Sequence, residues 1–254
     1  MKLLEVNNLS RSFGGLKAVN GVTFSMGRDM IKAVIGPNGA GKTTLFNLIS
    51  GFIQPHSGVV VFRGERVDGL RPYQIAAQGM SRTFQNVKLF HGMTALENVM
   101  IGRHVHSKSE FLSGMLNLPR TWSEEREIRQ RSFEIMDFLD IADLADADAV
   151  SLAYGQQRIV EVARALACEP ELLLLDEPAA GLNMHETAEM ARLITRVREK
   201  GVTVLLVEHD MSLVMDISDE ILVLCYGEKI ADDVPLAIQK DPEVVRVYLG
   251  EEDA

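Results

Sequence analysis

The sequence predicts an α/β fold: a mixed, mainly parallel sheet built around a phosphate-binding loop, an antiparallel β portion at the N-terminus and a helical insertion in the middle. Three observations predict it. Gly36-Pro37-Asn38-Gly39-Ala40-Gly41-Lys42-Thr43 reads G-x-x-x-x-G-K-T, with an apolar strand-like run, Ile31–Ile35, before it and a short helical run, Thr44–Ser50, after it. Leu172–Leu175, Val202–Val207 and Ile221–Leu224 are apolar on both faces, the pattern of strands in a parallel sheet covered by helices. From Thr94 to about Arg164 the pattern turns helical and glycine becomes sparse.

Taken in order, Leu3–Asn7 and Gly21–Met26 read as strands. The turn-rich stretch Ser10-Arg11-Ser12-Phe13-Gly14-Gly15 lies between them. On its residues alone Phe13 is either a core side chain or a ring placed to stack on a purine. In the glycine loop, backbone N–H groups turn inward around phosphate oxygens, and the helix N-terminus adds its own free donors. Lys42 reaches the β- and γ-phosphates, the Thr43 hydroxyl ligates Mg²⁺ and Thr44 helps to hold it. Val59–Phe62 is a strand between Gly58 and Gly64, and Met80–Phe84 leads into Gln85. Thr121-Trp122-Ser123-Glu124 reads as a capping box opening a helix, along which Ile128, Ile135 and Leu139 follow at helical spacing. Met93, Met100, Met115 and Met136 read as core fill, and His104 and His106, two apart without a further ligand, as surface residues rather than a metal site. Glu171–Leu175 runs into Asp176-Glu177-Pro178, Met184–Lys200 is helical, and Val202–Val207 ends in Glu208-His209-Asp210. Asp241-Pro242 opens a last short helix, Val244–Leu249, before Gly250.

Bulk properties narrow the function. With 254 residues, 46% of them apolar, the chain is expected to form one domain: an α/β core of 1–93 and 165–254 and a helical subdomain of 94–164. A net charge of −10 argues against a nucleic-acid partner but not against ATP, which needs only local positive charge. Cys168 and Cys225 suggest no disulfide framework. The acidic opening predicts no secretory leader, and no run approaches the ~20 apolar residues of a membrane helix, so a soluble protein is expected, with any membrane role coming through partners.

Asp176, after four leucines, matches the second nucleotide motif, whose Asp helps to hold Mg²⁺. Side-chain alternation along a strand sends Glu177 the other way, so one carboxylate serves the metal and the other the attacking water. Ser151-Leu152-Ala153-Tyr154-Gly155-Gln156-Gln157-Arg158 stands before a helix expected over Ile159–Ala167 and makes a second anion site. One phosphate loop and two anion sites suggest two chains sharing each nucleotide.

This set, in this order over nearly the whole chain, resembles the ATP-binding cassette of ABC transporters. Leu152-Ala153-Tyr154-Gly155-Gln156 stands where that family has its L-S-G-G-Q signature. Gln85 is similar to the Q-loop glutamine, His209 to the switch histidine, Ala180-Gly181-Leu182-Asn183 to the D-loop and Phe13 to the adenine-stacking aromatic. Two departures stand out: Ala153-Tyr154 replace the usual Ser-Gly, which removes one γ-phosphate donor, and Asn183 replaces a common Asp. These variants, with Phe13–Val19, Glu208–Met211 and Val245–Gly250, resemble the ATP-binding subunits of high-affinity branched-chain amino acid importers; cassettes for urea and short amides look similar. The resemblance implies the ABC ATPase fold, an ATPase using ATP and Mg²⁺, and two cassettes paired head to tail, identical or sister chains. It implies permease subunits, a solute-binding protein reached through them, and a position on the inner face of the membrane. It also implies that Glu177 polarises the attacking water, His209 holds the γ-phosphate and that water, and Gln85 senses Mg²⁺. A cassette acting on nucleic acid or the ribosome is the rival; it would need a long coiled-coil insertion or two cassettes in one chain, and this chain has neither.

Overall fold

The computed structural model describes residues 2–103 and 119–249, with residues 119–123 and 249 as backbone only. His104, His106 and Met115 lie outside the described residues. Two sheets form the frame. The first is antiparallel, in the order β2-β1-β4-β5, from β1 (Leu4–Phe13), β2 (Leu16–Met26), β4 (Ser57–Phe62) and β5 (Glu65–Arg66). The second runs β10-β9-β3-β8-β7-β6. Its strands are β3 (Ile31–Ile35), β6 (Met80–Arg82), β7 (Leu172–Asp176), β8 (Thr203–Val207), β9 (Glu220–Cys225) and β10 (Glu228–Asp233). All its pairings are parallel except β10 on β9.

The parallel strands are buried on both faces, which is why their sequences are unbroken apolar runs. Successive residues feed two different cores. Leu172, Leu174, Leu205 and Val207 face a core shared with the antiparallel sheet and α1 (Lys42–Ile49). Leu173, Leu175, Val204 and Leu206 face a core shared with α3 (Ala95–Arg103), α4 (Pro119–Phe138), α5 (Tyr154–Leu166) and α6 (Met184–Glu199). Lys32 is the polar exception within β3. Its side chain is 1% exposed and lies 2.6 Å from Asp232 and 2.9 Å from Glu220, so the buried ammonium is paired twice. The remaining α-helices among the described residues are α2 (Pro72–Ala77), α7 (Met211–Ile217), α8 (Pro235–Ile238) and α9 (Pro242–Leu249).

Three expectations are corrected. The turn-rich stretch around Phe13 is not a loop: β1 and β2 form one long hairpin that turns only at Gly14-Gly15, with Phe13 opposite Leu16. Register shifts between Val6 and Leu9 and between Leu9 and Ser12, with Asn8 at φ 50°, break the period-2 pattern that would have marked it as strand. The helix expected from Ile159 begins at Tyr154, because Gln156 Oε1 accepts from Ala153 N (3.1 Å) and closes the first turn early. And α4 opens at Pro119, ahead of Thr121, as suits a residue without an N–H; the Thr121 and Ser123 side chains lie outside the described residues.

Candidate nucleotide site

The phosphate loop joins β3 to α1. Gly36 has φ 148°, and a Cβ there would stand 2.1 Å from the Leu224 carbonyl oxygen; at Gly41, φ 101°, it would stand 2.2 Å from that of Ala18. Both positions need glycine for the loop to lie this close to β9 and β2. Between them Pro37, Asn38, Gly39 and Ala40 form the bend, with Ala40 N donating to Pro37 O (3.1 Å). Gly41 caps α1 without a side chain, so Lys42, Thr43 and Thr44 occupy a first turn whose N–H groups have no capping acceptor. Such an end, with the positive pole of the helix behind it, is an anion site. The Lys42 ammonium donates to Gly36 O (2.6 Å) and Pro37 O (3.0 Å), which holds it across the loop.

The parallel sheet delivers the other groups at the carboxyl ends of its strands, where ligands of open α/β sheets bind. Asp176 ends β7 and is buried. One oxygen, Oδ2, takes a 2.7 Å bond from Arg82 Nη2; the other, Oδ1, is buried without a hydrogen-bond partner. Glu177 has φ 50°, so the two carboxylates separate through a left-handed residue after the strand rather than through strand alternation, and Glu177 N donates to Val207 O (2.9 Å). Gln85 Nε2 donates to Glu177 Oε2 (2.9 Å), so β6 and β7 bring these two side chains together. His209 follows β8 with an exposed side chain, its Nδ1 3.7 Å from Glu208 Oε2.

Phe13, at the end of β1, is 45% exposed and therefore not a core residue; the Arg11 guanidinium lies 5.1 Å from its ring centre. The signature residues sit elsewhere. Leu152 and Ala153 precede α5, and Tyr154, Gly155 and Gln156 form its first turn. They pack on the loop after β7 and the start of α6: a Cβ at Gly181 would touch the Tyr154 ring at 3.1 Å, and one at Gly155 would meet Glu186 Oε1 at 2.9 Å.

Several residues of the site escaped the sequence reading. Arg82 links β6, α1 and Asp176: Nη1 donates to Asn47 Oδ1 (2.7 Å) and Ser50 Oγ (2.9 Å), and Phe46, Phe52 and Phe84 ring the guanidinium at 5.5–5.7 Å. Glu208, fully buried, accepts from Ala179 N (2.8 Å) and His209 N (3.0 Å), tying the loop after Glu177 to the histidine. Arg158 reaches the backbone around Gln85. The available signal was a charged residue directly closing an apolar run, as Glu208 is after Val207; Arg82, between Ser81 and Thr83, carries no such signal.

Comparison with known proteins gives the family. The family model "ABC transporter" matches residues 19–180, and "Branched-chain amino acid ATP-binding cassette transporter" matches residues 228–254. The chain is 46% identical over 250 residues to the high-affinity branched-chain amino acid transport ATP-binding protein BraF of Pseudomonas aeruginosa, with 98% of each chain covered. It is 44% identical to LivG of Escherichia coli, a protein of the same description, over the same coverage. Among solved structures, the ADP conformation of MJ1267, an ATP-binding cassette of an ABC transporter, superposes with a TM-score of 0.86 at 32% identity, covering 98% of this chain and 99% of that one. The fold is the ABC ATPase fold, and the chain belongs to the ABC transporter ATPases, among the ATP-binding proteins of the branched-chain amino acid transport type.

Proposed function

We propose that this ATPase powers the uptake of branched-chain amino acids as the nucleotide-binding subunit of an importer. The observation that carries the solute is the similarity to BraF and LivG over 98% of the chain, joined by the match of residues 228–254 to the branched-chain family model. The ATP lies against Phe13, with its phosphates in the cradle of Gly36 to Thr44. Glu177 polarises the attacking water, Gln85 holds the Glu177 carboxylate in place, and His209 holds the γ-phosphate and that water. Mg²⁺ fits the residues present: the unpartnered Asp176 Oδ1 and the Thr43 hydroxyl are hard oxygen donors, and Gln85 adds a third oxygen. When bound, the ion neutralises charge on the phosphates.

Leu152 to Gln156, at the start of α5, serve the nucleotide of a second cassette, identical or sister, so that ATP bridges two chains. The signature helix belongs to a helical subdomain of residues 94–164 set on a core of 1–93 and 165–254. No described helix is long and apolar enough to cross a membrane. The pair works at the inner face of the membrane through permease subunits that receive solute from a binding protein, and the charge of −10 argues against a nucleic-acid partner.

Deleting the gene from its host and measuring uptake of labelled leucine, urea and acetamide at micromolar concentration tests the assignment. Loss of leucine uptake with the other two intact is the expected result; loss of urea or acetamide uptake with leucine intact would overturn it.

A further inference from the structure

The buried guanidinium of Arg158 has its charge answered by Glu161 at ion-pair distance, but gives its hydrogen bonds elsewhere. Its side chain is 3% exposed, and the nearest acid, Glu161, stands 3.8 Å away, beyond hydrogen-bond reach. The donors go instead to backbone carbonyls of two separate loops. Nη1 donates to Phe84 O (3.2 Å), and Nη2 donates to Gln85 O (2.7 Å) and Ala180 O (3.4 Å). The same guanidinium lies 5.2 Å from the centre of the Tyr154 ring, one turn back along α5, and that ring packs on Gly181. A second arginine of the helix, Arg164, donates to Lys88 O (2.6 Å). Side chains of α5 thus grip the segment 84–88 and the segment 180–181 together.

We propose that Arg158 is a positioning residue for ATP hydrolysis: its planar fork fixes Gln85 against Glu177 and ties that pair to Ala180 and Tyr154. The inference rests on the role of Gln85 proposed above. Gln85 is an exposed residue on a loop, and its side chain reaches Glu177 over a single 2.9 Å contact. Its backbone carbonyl, held 2.7 Å from a rigid, always-charged donor, is what sets the origin of that reach. Lysine has one ammonium and no fork, so it cannot serve both loops in the same geometry. The aromatic residue at position 154 gains a reason as well: its ring covers the guanidinium face that the two loops leave open.

The experiment measures kcat, KM for ATP, equilibrium binding of a fluorescent ATP analogue and Tm for Arg158→Met, Arg158→Lys and Gln85→Ala, and for Arg158→Met combined with Gln85→Ala. Arg158→Met is expected to lower kcat about tenfold while nucleotide affinity stays within about twofold, because only the alignment of the reacting groups is lost. Arg158→Lys is expected to fall short of wild type as well, and it carries the test if the methionine variant does not fold. In the Gln85→Ala background, adding Arg158→Met is expected to lower kcat by no more than about twofold, since the group it positions is already gone. Losses that multiply in the double variant, or a lysine variant with wild-type kcat, would overturn the inference while leaving Gln85 in its role. An unchanged kcat in Gln85→Ala alone would overturn the role of Gln85 and the inference with it.

Discussion

Lys42 is the side chain nearest to being indispensable, since it supplies the one flexible cation within the loop that its own first turn helps to build. Lys42→Ala is expected to abolish ATP turnover and weaken nucleotide binding; normal hydrolysis in the purified variant would remove the phosphate loop from the account. Phe13 makes a different kind of contribution. Its ring is half exposed beside Arg11 and would touch the base equally before and during reaction, so Phe13→Ala is expected to raise KM for ATP several-fold, for a loss of about 1 kcal/mol, with kcat little changed. A KM equal to wild type would leave Phe13 a solvent-facing strand residue. At this scale the sequence was most informative where the backbone leaves room for one residue only: Gly36 and Gly41 were legible from spacing alone. Arg82 was not, because its partners, Asn47, Ser50 and Asp176, come from three places in the chain that only the fold brings together.

Among the elements, α6 and α5 show opposite degrees of legibility. Asn183 departs from the Asp common in the family, yet it caps α6 fully: Oδ1 accepts from His185 N (2.9 Å) and Glu186 N (3.1 Å), and Glu186 Oε2 accepts from Asn183 N (2.9 Å). Asn183→Ala is expected to cost about 1 kcal/mol, lowering Tm by about 2–4 °C, and Asn183→Asp to cost less than half of that, both read by thermal melts. The start of α5 was misplaced by five residues, because Ala153 carries no capping side chain and the closing bond comes from Gln156 downstream. Within α5, burial pushes the Glu161 carboxyl above its ordinary range, against the opposing pull of Arg164 and Arg158. A raised folded-state value means the folded protein binds the proton more tightly than the unfolded one. Its stabilising contribution is therefore full below the unfolded pKa and is lost as pH rises through the raised value. The Tm of the wild type minus that of Glu161→Gln is expected to fall as pH is taken from 4.5 to 7.5; a difference that stays flat or rises would contradict this. The hairpin of β1 and β2 was read as two short pieces for a related reason, since its register shifts interrupt the alternation on which strand reading depends.

On the scale of the whole molecule, one alternation does two jobs. The parallel strands send every other side chain into a core under α1 and the antiparallel sheet, and the rest into a core under α3 to α6. Their carboxyl ends thereby collect the phosphate loop, Gln85, Asp176, Glu177 and His209, while the signature is carried off on the first turn of α5. In the proposed reading that division leaves the chain with half of each nucleotide site on either side, which is the physical ground for expecting two cassettes to close around ATP. Glu177→Gln tests this most directly. Glutamine keeps the shape of Glu177 but neither accepts the proton of the attacking water nor repels the γ-phosphate, so bound ATP persists as a bridge between chains. Size-exclusion chromatography of the variant with ATP and Mg²⁺, alone and mixed with any sister cassette encoded beside it, is predicted to show a stable cassette dimer containing unhydrolysed ATP. A variant that hydrolyses ATP near the wild-type rate, or one that binds ATP yet remains monomeric in both mixtures, would contradict the account.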